Sequence, residues 1–457
     1  MKHFDLIIIG TGSGNSLITP ELDDWNVAIV EKGVFGGTCL NRGCIPSKMF
    51  VYAADVALQT KQGPNLGVHT SFEGVDWTSI RDRVFDRIDP IAAGGDHYRA
   101  NECSNVTVYR GHGRFVGPKQ LQVGADTISA EQVVIAAGAR PFIPPLPGLD
   151  TVAYHTSDSI MRVDELPRRL AILGGGYIAS ELGHVMDAFG VDVTLINRSG
   201  MLLRNEDDAI SERFTDLMRA RMTVVAGTGN VAVTNGPDGS IIVTADQGRA
   251  AMTVEADALL VATGRTPNGD QLDLDATGLM LNDAGYIDVD EHGRTAVDGI
   301  WALGDVSNPM QLKHVANAEA RVVAHNIAHP DDLHAVDLSH TPHAVFGNPQ
   351  VASVGLTERE AIQQHVPHEA VQHEYAGAAY GWAMEDTTSF CKLLADPASR
   401  KLIGAHIIGP QASTMLQQLV QAMRFGQTVH DLARGQIWIH PALPEVVEQT
   451  LLKFSDA

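Results

Sequence analysis

Leu6-Ile7-Ile8-Ile9-Gly10-Thr11-Gly12-Ser13-Gly14 opens the reading: four apolar residues without a break, then glycine at three alternate positions. An unbroken apolar run suits a strand buried on both faces, and a glycine turn leading into a helix lets backbone approach a pyrophosphate. A second apolar run, Val27-Ala28-Ile29-Val30, ends at Glu31, where a carboxylate can accept from a ribose hydroxyl. The same grammar returns at Leu170–Leu173, followed by Gly174-Gly175-Gly176-Tyr177-Ile178-Ala179. A helix should then run to about Phe189, with Gly190 as its stop and a strand over Val191–Ile196. One glycine fingerprint is weak evidence, but two in strand–turn–helix context imply two nucleotide-binding domains. The first copy departs from the pattern twice. Asn15 stands at the third fingerprint position, and Pro20 falls where the helix should continue, which makes that helix short or irregular.

Working outward, Val133-Val134-Ile135-Ala136-Ala137-Gly138 and Leu259-Leu260-Val261-Ala262-Thr263-Gly264 follow their fingerprints at similar offsets. Each precedes arginine and proline, Arg140-Pro141 and Arg265 to Pro267. Gly299 to Asp305 reads as a further strand ending in an acid, and Val315–Ala328 as a helix. From about Asp337 the pattern becomes alternating strands (Val351–Val354, Phe390–Ala395, Leu402–Ile408) with amphipathic helices near 412–426 and 444–454. The expected fold is α/β, with two Rossmann-like dinucleotide-binding domains and an α+β C-terminal dimerisation domain. Its expected segments are 1–150 (first nucleotide-binding domain), 151–268 (second nucleotide-binding domain), 269–336 (returning to the first domain) and 337–457 (C-terminal domain).

Composition narrows the function. A chain of 457 residues with 44% hydrophobic and 19% charged residues is ordinary for a globular protein of several domains. No stretch approaches about 20 apolar residues, so no membrane span is expected, and the N-terminal residues carry no signal-peptide pattern. A net charge of −22 argues against nucleic acid and anionic membranes as partners. It also means that an anionic dinucleotide needs a local cationic pocket. Four cysteines (39, 44, 103 and 391) suit a reducing, cytoplasmic setting. Cys103 and Cys391 read as inert.

Cys39 and Cys44 differ. They lie in Gly36-Gly37-Thr38-Cys39-Leu40-Asn41-Arg42-Gly43-Cys44-Ile45-Pro46-Ser47-Lys48, close enough to close a small disulfide loop. A dithiol that cycles needs this nearness, because exchange proceeds by one sulfur attacking another. As a structural staple the pair would stabilise little. This run resembles the signature of the flavin-dependent pyridine nucleotide–disulfide reductases, the family of glutathione reductase, dihydrolipoamide dehydrogenase and mercuric reductase.

That resemblance implies FAD and NADPH as cofactors and assigns roles by position. The first glycine turn (Gly10, Gly12, Ser13, Gly14) with Glu31 and Lys32 would hold the adenosine half of FAD. Gly37, Thr38 and Lys48 would approach its ring, with Lys48 ion-paired to Glu181. His112 and Gly113 would meet the adenine. Ala137, Gly138, Gly304, Asp305, Val315 and Ala316 would complete the flavin site, Asp305 binding the ribityl chain. For NADPH the resemblance implies Gly174, Gly176, Tyr177, Ile178, Glu181, Gly264 and Arg265, with Tyr177 covering the flavin until nicotinamide enters.

Coenzyme choice is readable in the residues themselves. Where an NAD enzyme places an acid after the second strand, this chain has Leu195-Ile196-Asn197-Arg198, with Arg204 six residues on. Two guanidinium groups suit a 2′-phosphate that a carboxylate would repel. Trp438-Ile439-His440-Pro441-Ala442-Leu443-Pro444-Glu445 pairs a histidine with a carboxylate five residues later, which can hold one imidazole nitrogen while the other works. The resemblance implies that His440 and Glu445 serve the dithiol of the other subunit, so that a homodimer shares its active sites. The remaining histidines, including His325 with His329 and His340 with His343, show no zinc-like spacing and read as solvated, with no metal expected.

The substrate expected is a small-molecule disulfide. Tyr380-Gly381-Trp382-Ala383-Met384-Glu385-Asp386-Thr387 and the stretch from Trp438 to Glu448 resemble the members of the family that regenerate mycothiol, which implies mycothiol disulfide. The run Lys453-Phe454-Ser455-Asp456-Ala457 has no terminal cysteine pair, unlike mercuric reductase. Another low-molecular-weight disulfide reductase, a dihydrolipoamide dehydrogenase and a flavin-binding redox sensor stay open as alternatives.

Overall fold

The computed structural model describes residues 1–248 and 250–455; the last two residues of the cysteine-free run fall outside the described residues. The chain divides into two compact units.

The first unit comprises Met1–Met49, Ser79–Phe142 and Gly264–Leu338. Its sheet orders the strands Val106–Arg110, Val27–Glu31, Lys2–Ile9, Asp126–Ile135, Gln120–Val123 and Gly113–Gly117, and Ile300–Ala302 also pairs with Asp126–Ile135. The strands around Lys2–Ile9 are parallel. Leu6, Ile7 and Ile8 have no exposed surface, as strands covered on both faces require. The helix expected after the first glycine turn is replaced by two 3-10 turns, Gly14–Leu17 and Pro20–Leu22. Pro20 opens the second turn, where a missing N–H costs nothing. The strand expected to end in an acid ends at Ala302; Asp305 lies in the 3-10 turn Gly304–Val306 that follows.

The second unit comprises Phe50–Thr78, Ile143–Thr263 and Ser339–Ala457. A parallel sheet orders Thr223–Ala226, Asp192–Asn197, Arg169–Leu173 and Ala258–Val261, with the helix Tyr177–Ala188 following its glycine turn. Three antiparallel strands, Thr228–Asn235, Ile241–Gln247 and Ala250–Ala256, form a separate meander. The last part of the chain builds a five-stranded antiparallel sheet from His343–Val345, Val351–Gly355, Leu402–Ile408, Phe390–Ala395 and Glu369–Glu374. The helices Ala412–Arg424 and Pro444–Leu451 pack on it through Met415, Leu416, Leu419, Val446, Val447 and Leu451, all buried. Cys391 lies fully buried in this core, and burial pushes its thiol up to about 12, too high for redox work.

Candidate active site

In the first unit the dithiol straddles a joint between two helices. Gly37–Arg42 ends at Gly43, and Cys44–Gln62 begins at once. Gly43 turns with φ −136° and ψ −118°, and a Cβ there would stand 2.9 Å from the carbonyl oxygen of Thr38. The turn brings the side chain of Cys39 onto that of Cys44, with both present as thiols. Their hydrogen bond, aided by burial, pushes the Cys39 thiol well above its ordinary value, while the nearby Lys313 ammonium pulls the other way. Cys44 is exposed at the first position of a 19-residue helix, where the helix dipole favours an anion. Lys48, one turn on, donates to Ser47 Oγ at 3.2 Å.

Gly10 has φ +103°, and a Cβ on it would fall 2.3 Å from the carbonyl oxygen of Ala136. Gly37 approaches the same turn so closely that its Cβ would lie 2.8 Å from Gly12 Cα. Glu31 takes the Thr11 amide at 2.9 Å, the Thr11 hydroxyl at 2.7 Å and the Gly33 amide at 2.7 Å. A carboxylate has about four acceptor positions, which leaves one for a ribose hydroxyl. Lys32 donates to Gln271 Oε1 at 2.7 Å, and His112 Nε2 lies 2.7 Å from the Gln271 carbonyl. Ser13 accepts from Lys313 Nζ at 2.8 Å and donates to Asn317 at 3.0 Å, so the Lys313–Ala328 helix that carries Val315 and Ala316 meets the glycine turn at its N-terminal end. Burial raises the Asp305 carboxyl against the pull of Arg265, whose Nε is 3.9 Å away. Beside it, Gly304 donates to Glu319 Oε2 at 2.7 Å. A Cβ on Gly138 would meet nothing within 4 Å. Close backbone approach at the turn, an acceptor at the second strand end and a half-buried acid suit FAD.

Sequence reasoning missed four residues here: Thr11, Arg99, Lys313 and Glu319. Arg99 donates to Asn15 Oδ1 at 2.9 Å and to its carbonyl at 3.2 Å. Asn15 therefore trades helix continuation for a guanidinium clamp. Gly264 and Arg265 lie in the first unit, Arg265 donating to the Ala139 carbonyl at 2.6 Å and Asn268 donating to that of Ala137 at 2.8 Å.

In the second unit Gly174 repeats Gly10. Its φ is +131°, and its Cβ would fall 2.2 Å from the carbonyl oxygen of Ala262. Gly176 caps the 12-residue helix Tyr177–Ala188 with no side-chain cap, and its own Cβ would face open space. The N-terminal end of this helix, at Tyr177 and Ile178, carries the positive end of the helix dipole, which suits an anion. Tyr177 is exposed at the first helical position, and Glu181 is buried and accepts the Phe346 amide at 2.9 Å. Asn197, at the strand end equivalent to Glu31, turns inward and donates to the carbonyls of Ser199 at 2.9 Å and Met201 at 2.8 Å. Arg198 and Arg204 are exposed, and neither side chain has a bonding partner among the described residues. An anion pocket of this make-up fits a coenzyme carrying a 2′-phosphate.

Also in the second unit, His440 Nδ1 lies 2.7 Å from Glu445 Oε1, with 72% of the His440 side chain exposed. The histidines expected to be solvated include exceptions. His343 binds Glu206 at 2.8 Å, because the fold lays the start of helix Asp208–Arg219 against the C-terminal sheet. His325 lies beside Asp332 and His334, a grouping that spacing along the chain does not reveal.

Residues 4–320 match the pyridine nucleotide-disulphide oxidoreductase model, and residues 341–451 match that family's dimerisation domain. The chain belongs to the pyridine nucleotide-disulphide oxidoreductases. It is 48% identical to the mycothione reductase of Mycobacterium tuberculosis over 99% of both chains. It is 33% identical to a glutathione reductase of Burkholderia cepacia over 97% of each. Among solved structures, the HOCl-induced flavoprotein disulfide reductase RclA of Escherichia coli superposes with a TM-score of 0.86 at 26% identity, covering 99% of this chain and 100% of that one. As a member of this oxidoreductase family, the protein is an NAD(P)H-dependent disulfide oxidoreductase using FAD and NADPH. No helix among the described residues is long and apolar enough to cross a membrane.

Proposed function

We propose that this protein reduces mycothiol disulfide to two molecules of mycothiol at the expense of NADPH, acting as a cytoplasmic homodimer with shared active sites. The observation that carries this reading is the contact between the Cys39 and Cys44 thiols at a helix joint, in a chain 48% identical to a mycothione reductase. Bound FAD would supply two-electron relay chemistry between nicotinamide and the Cys39–Cys44 disulfide.

The chain's own residues do the rest. Gly174, Gly176, Tyr177 and Ile178 receive the coenzyme pyrophosphate, and Arg198 and Arg204 pair with its 2′-phosphate. Gly10, Gly12, Ser13, Gly14, Glu31 and Lys32 hold the adenosine half of FAD, with His112 and Gly113 at the adenine and Asp305 at the ribityl chain. Lys48 would place a cation near the flavin ring, with Gly37, Thr38, Ala137, Gly138, Gly304, Val315 and Ala316 around it. Cys44 rests as the thiolate at its helix N-terminus and faces the ring. Cys39 faces the substrate and loses its proton to the partner's His440, since only a thiolate attacks. Cys39 sulfur bonds to one substrate sulfur, the substrate S–S bond breaks, and the leaving thiolate takes the proton back from the imidazole. Cys44 then attacks Cys39, which restores the internal disulfide and releases the second thiol. Each cycle consumes one NADPH and one proton and yields two thiols.

Turnover with NADPH should be compared for mycothiol disulfide, oxidised glutathione and lipoamide. Mycothiol disulfide is expected to give kcat/KM at least about 100-fold above the others, a difference near 2.7 kcal/mol. Equal or better turnover of glutathione or lipoamide overturns the assignment.

A further inference from the structure

At the C-terminal end of the helix Lys313–Ala328 the chain turns back and lays residues 331–336 beside it. Fully buried Asn326 fixes this return. Its amide donates to the carbonyls of His292 at 3.0 Å and His334 at 2.9 Å, and its oxygen accepts the His334 amide at 2.7 Å. The Asp332 amide donates to the His329 carbonyl at 3.0 Å, and the Val336 amide to Glu291 at 2.8 Å.

This backbone frame brings three ligand-type side chains together. Asp332 Oδ2 lies 3.6 Å from His325 Nε2 and 3.8 Å from His334 Nε2, and one ligand atom from each of the three residues lies within 4.8 Å of the others. The rings of His325 and His334 stack with centroids 3.7 Å apart. A tetrahedral ion with bonds of about 2.0–2.1 Å separates its ligand atoms by about 3.3 Å, close to the 3.6 Å and 3.8 Å that already separate Asp332 from the two imidazoles.

We propose that His325, Asp332 and His334 form a binding site for a late first-row divalent metal such as Zn²⁺ or Ni²⁺, with water in the fourth position. Two imidazoles and one carboxylate suit these ions and disfavour Mg²⁺ and Ca²⁺, which take oxygen ligands. Access is open, with 24%, 76% and 56% of the three side chains exposed, in chain order. The net charge of −22 attracts cations to the surface. The site is remote from the flavin residues: His325 lies about 18 Å along the helix from Lys313, which binds the glycine turn. His325 Nε2 is now 2.9 Å from the Asp332 carbonyl and must exchange that contact for the ion, carrying its proton on Nδ1.

The test is calorimetric titration of chelator-treated holoenzyme with ZnCl₂ and NiCl₂, the dithiol kept oxidised so that its sulfurs take no metal. Wild type is expected to bind one ion per chain, His334→Ala to lose that step, and Asp332→Asn to weaken it at least about tenfold. His430→Ala, an exposed histidine elsewhere, is expected to bind as wild type does. Absence of saturable binding in wild type overturns the proposal, as does binding unchanged in both His334→Ala and Asp332→Asn.

Discussion

Glu445 holds His440 by one carboxylate oxygen, Oε1 to Nδ1 at 2.7 Å, and is itself held by the other, which accepts the Ala442 amide at 3.0 Å. The His440 hydrogen bond keeps the Glu445 carboxyl below its usual range. An ionised carboxylate can only accept, so Nδ1 carries the proton and Nε2 presents its lone pair outward.

Glu445→Gln should therefore damage disulfide turnover specifically. The amide can donate to Nδ1, which favours the wrong tautomer, and kcat is expected to fall at least about 100-fold. Reduction of the bound flavin by NADPH, followed by stopped-flow absorbance, should be unaffected. An unchanged kcat would remove His440 from the acid–base role.

Gly10 and Gly174 make the same close approach in the two nucleotide-binding halves, each against the carbonyl of the alanine that directly follows a strand. Gly174→Ala adds a Cβ 2.2 Å from the Ala262 oxygen at a φ that L-residues rarely adopt. The expected result is normal flavin content with NADPH KM raised at least about tenfold. Gly10→Ala should give the reverse, colourless protein that still binds NADPH. Both proteins appearing normal would show that these turns tolerate a side chain.

Arg198→Glu places a carboxylate where the proposal puts a 2′-phosphate. NADPH kcat/KM should fall at least about tenfold, a loss of some 1.4 kcal/mol, while that for NADH holds or improves. Steady-state kinetics with both coenzymes decides; an unaltered ratio rejects this coenzyme pocket.

The Glu206–His343 pair predicts a pH window of stability. Burial alone would raise Glu206, but bonds from His343 and Ser353 leave it below its ordinary value. Burial would lower His343, yet Glu206 leaves it raised. The carboxylate's contribution is present above its unfolded pKa of about 4.3 and lost as pH falls through its lowered folded value. The imidazole's is complete below about 6.5 and lost as pH rises through its raised folded value. Thermal denaturation of wild type and Glu206→Gln should differ most between about pH 4.3 and 6.5, and less at pH 9. A difference independent of pH would show that the pair is not ionised.

Much of the architecture was readable because burial leaves a pattern. Phe390–Ala395 and Leu402–Ile408 form strands at the bounds their apolar runs suggest. The second glycine fingerprint leads into the helix its sequence implies. The first does not, since Pro20 and the Arg99–Asn15 clamp override the repeat. Contacts between residues far apart in sequence carry no local signal. Arg99 reaches Asn15 across 84 positions and Lys313 reaches Ser13 across 300. The His325, Asp332 and His334 grouping depends on the buried amide of Asn326, which no spacing rule would select.

Asn197 gives both of its amide hydrogens to the loop that leads to Arg204. Replacing it with aspartate, whose carboxylate could accept from a ribose 2′-hydroxyl, removes those donors and turns attraction for two carbonyls into repulsion. The proposed 2′-phosphate pocket and the shape of this loop thus depend on one and the same side chain. A switch of reductant would have to rebuild the loop rather than exchange one side chain.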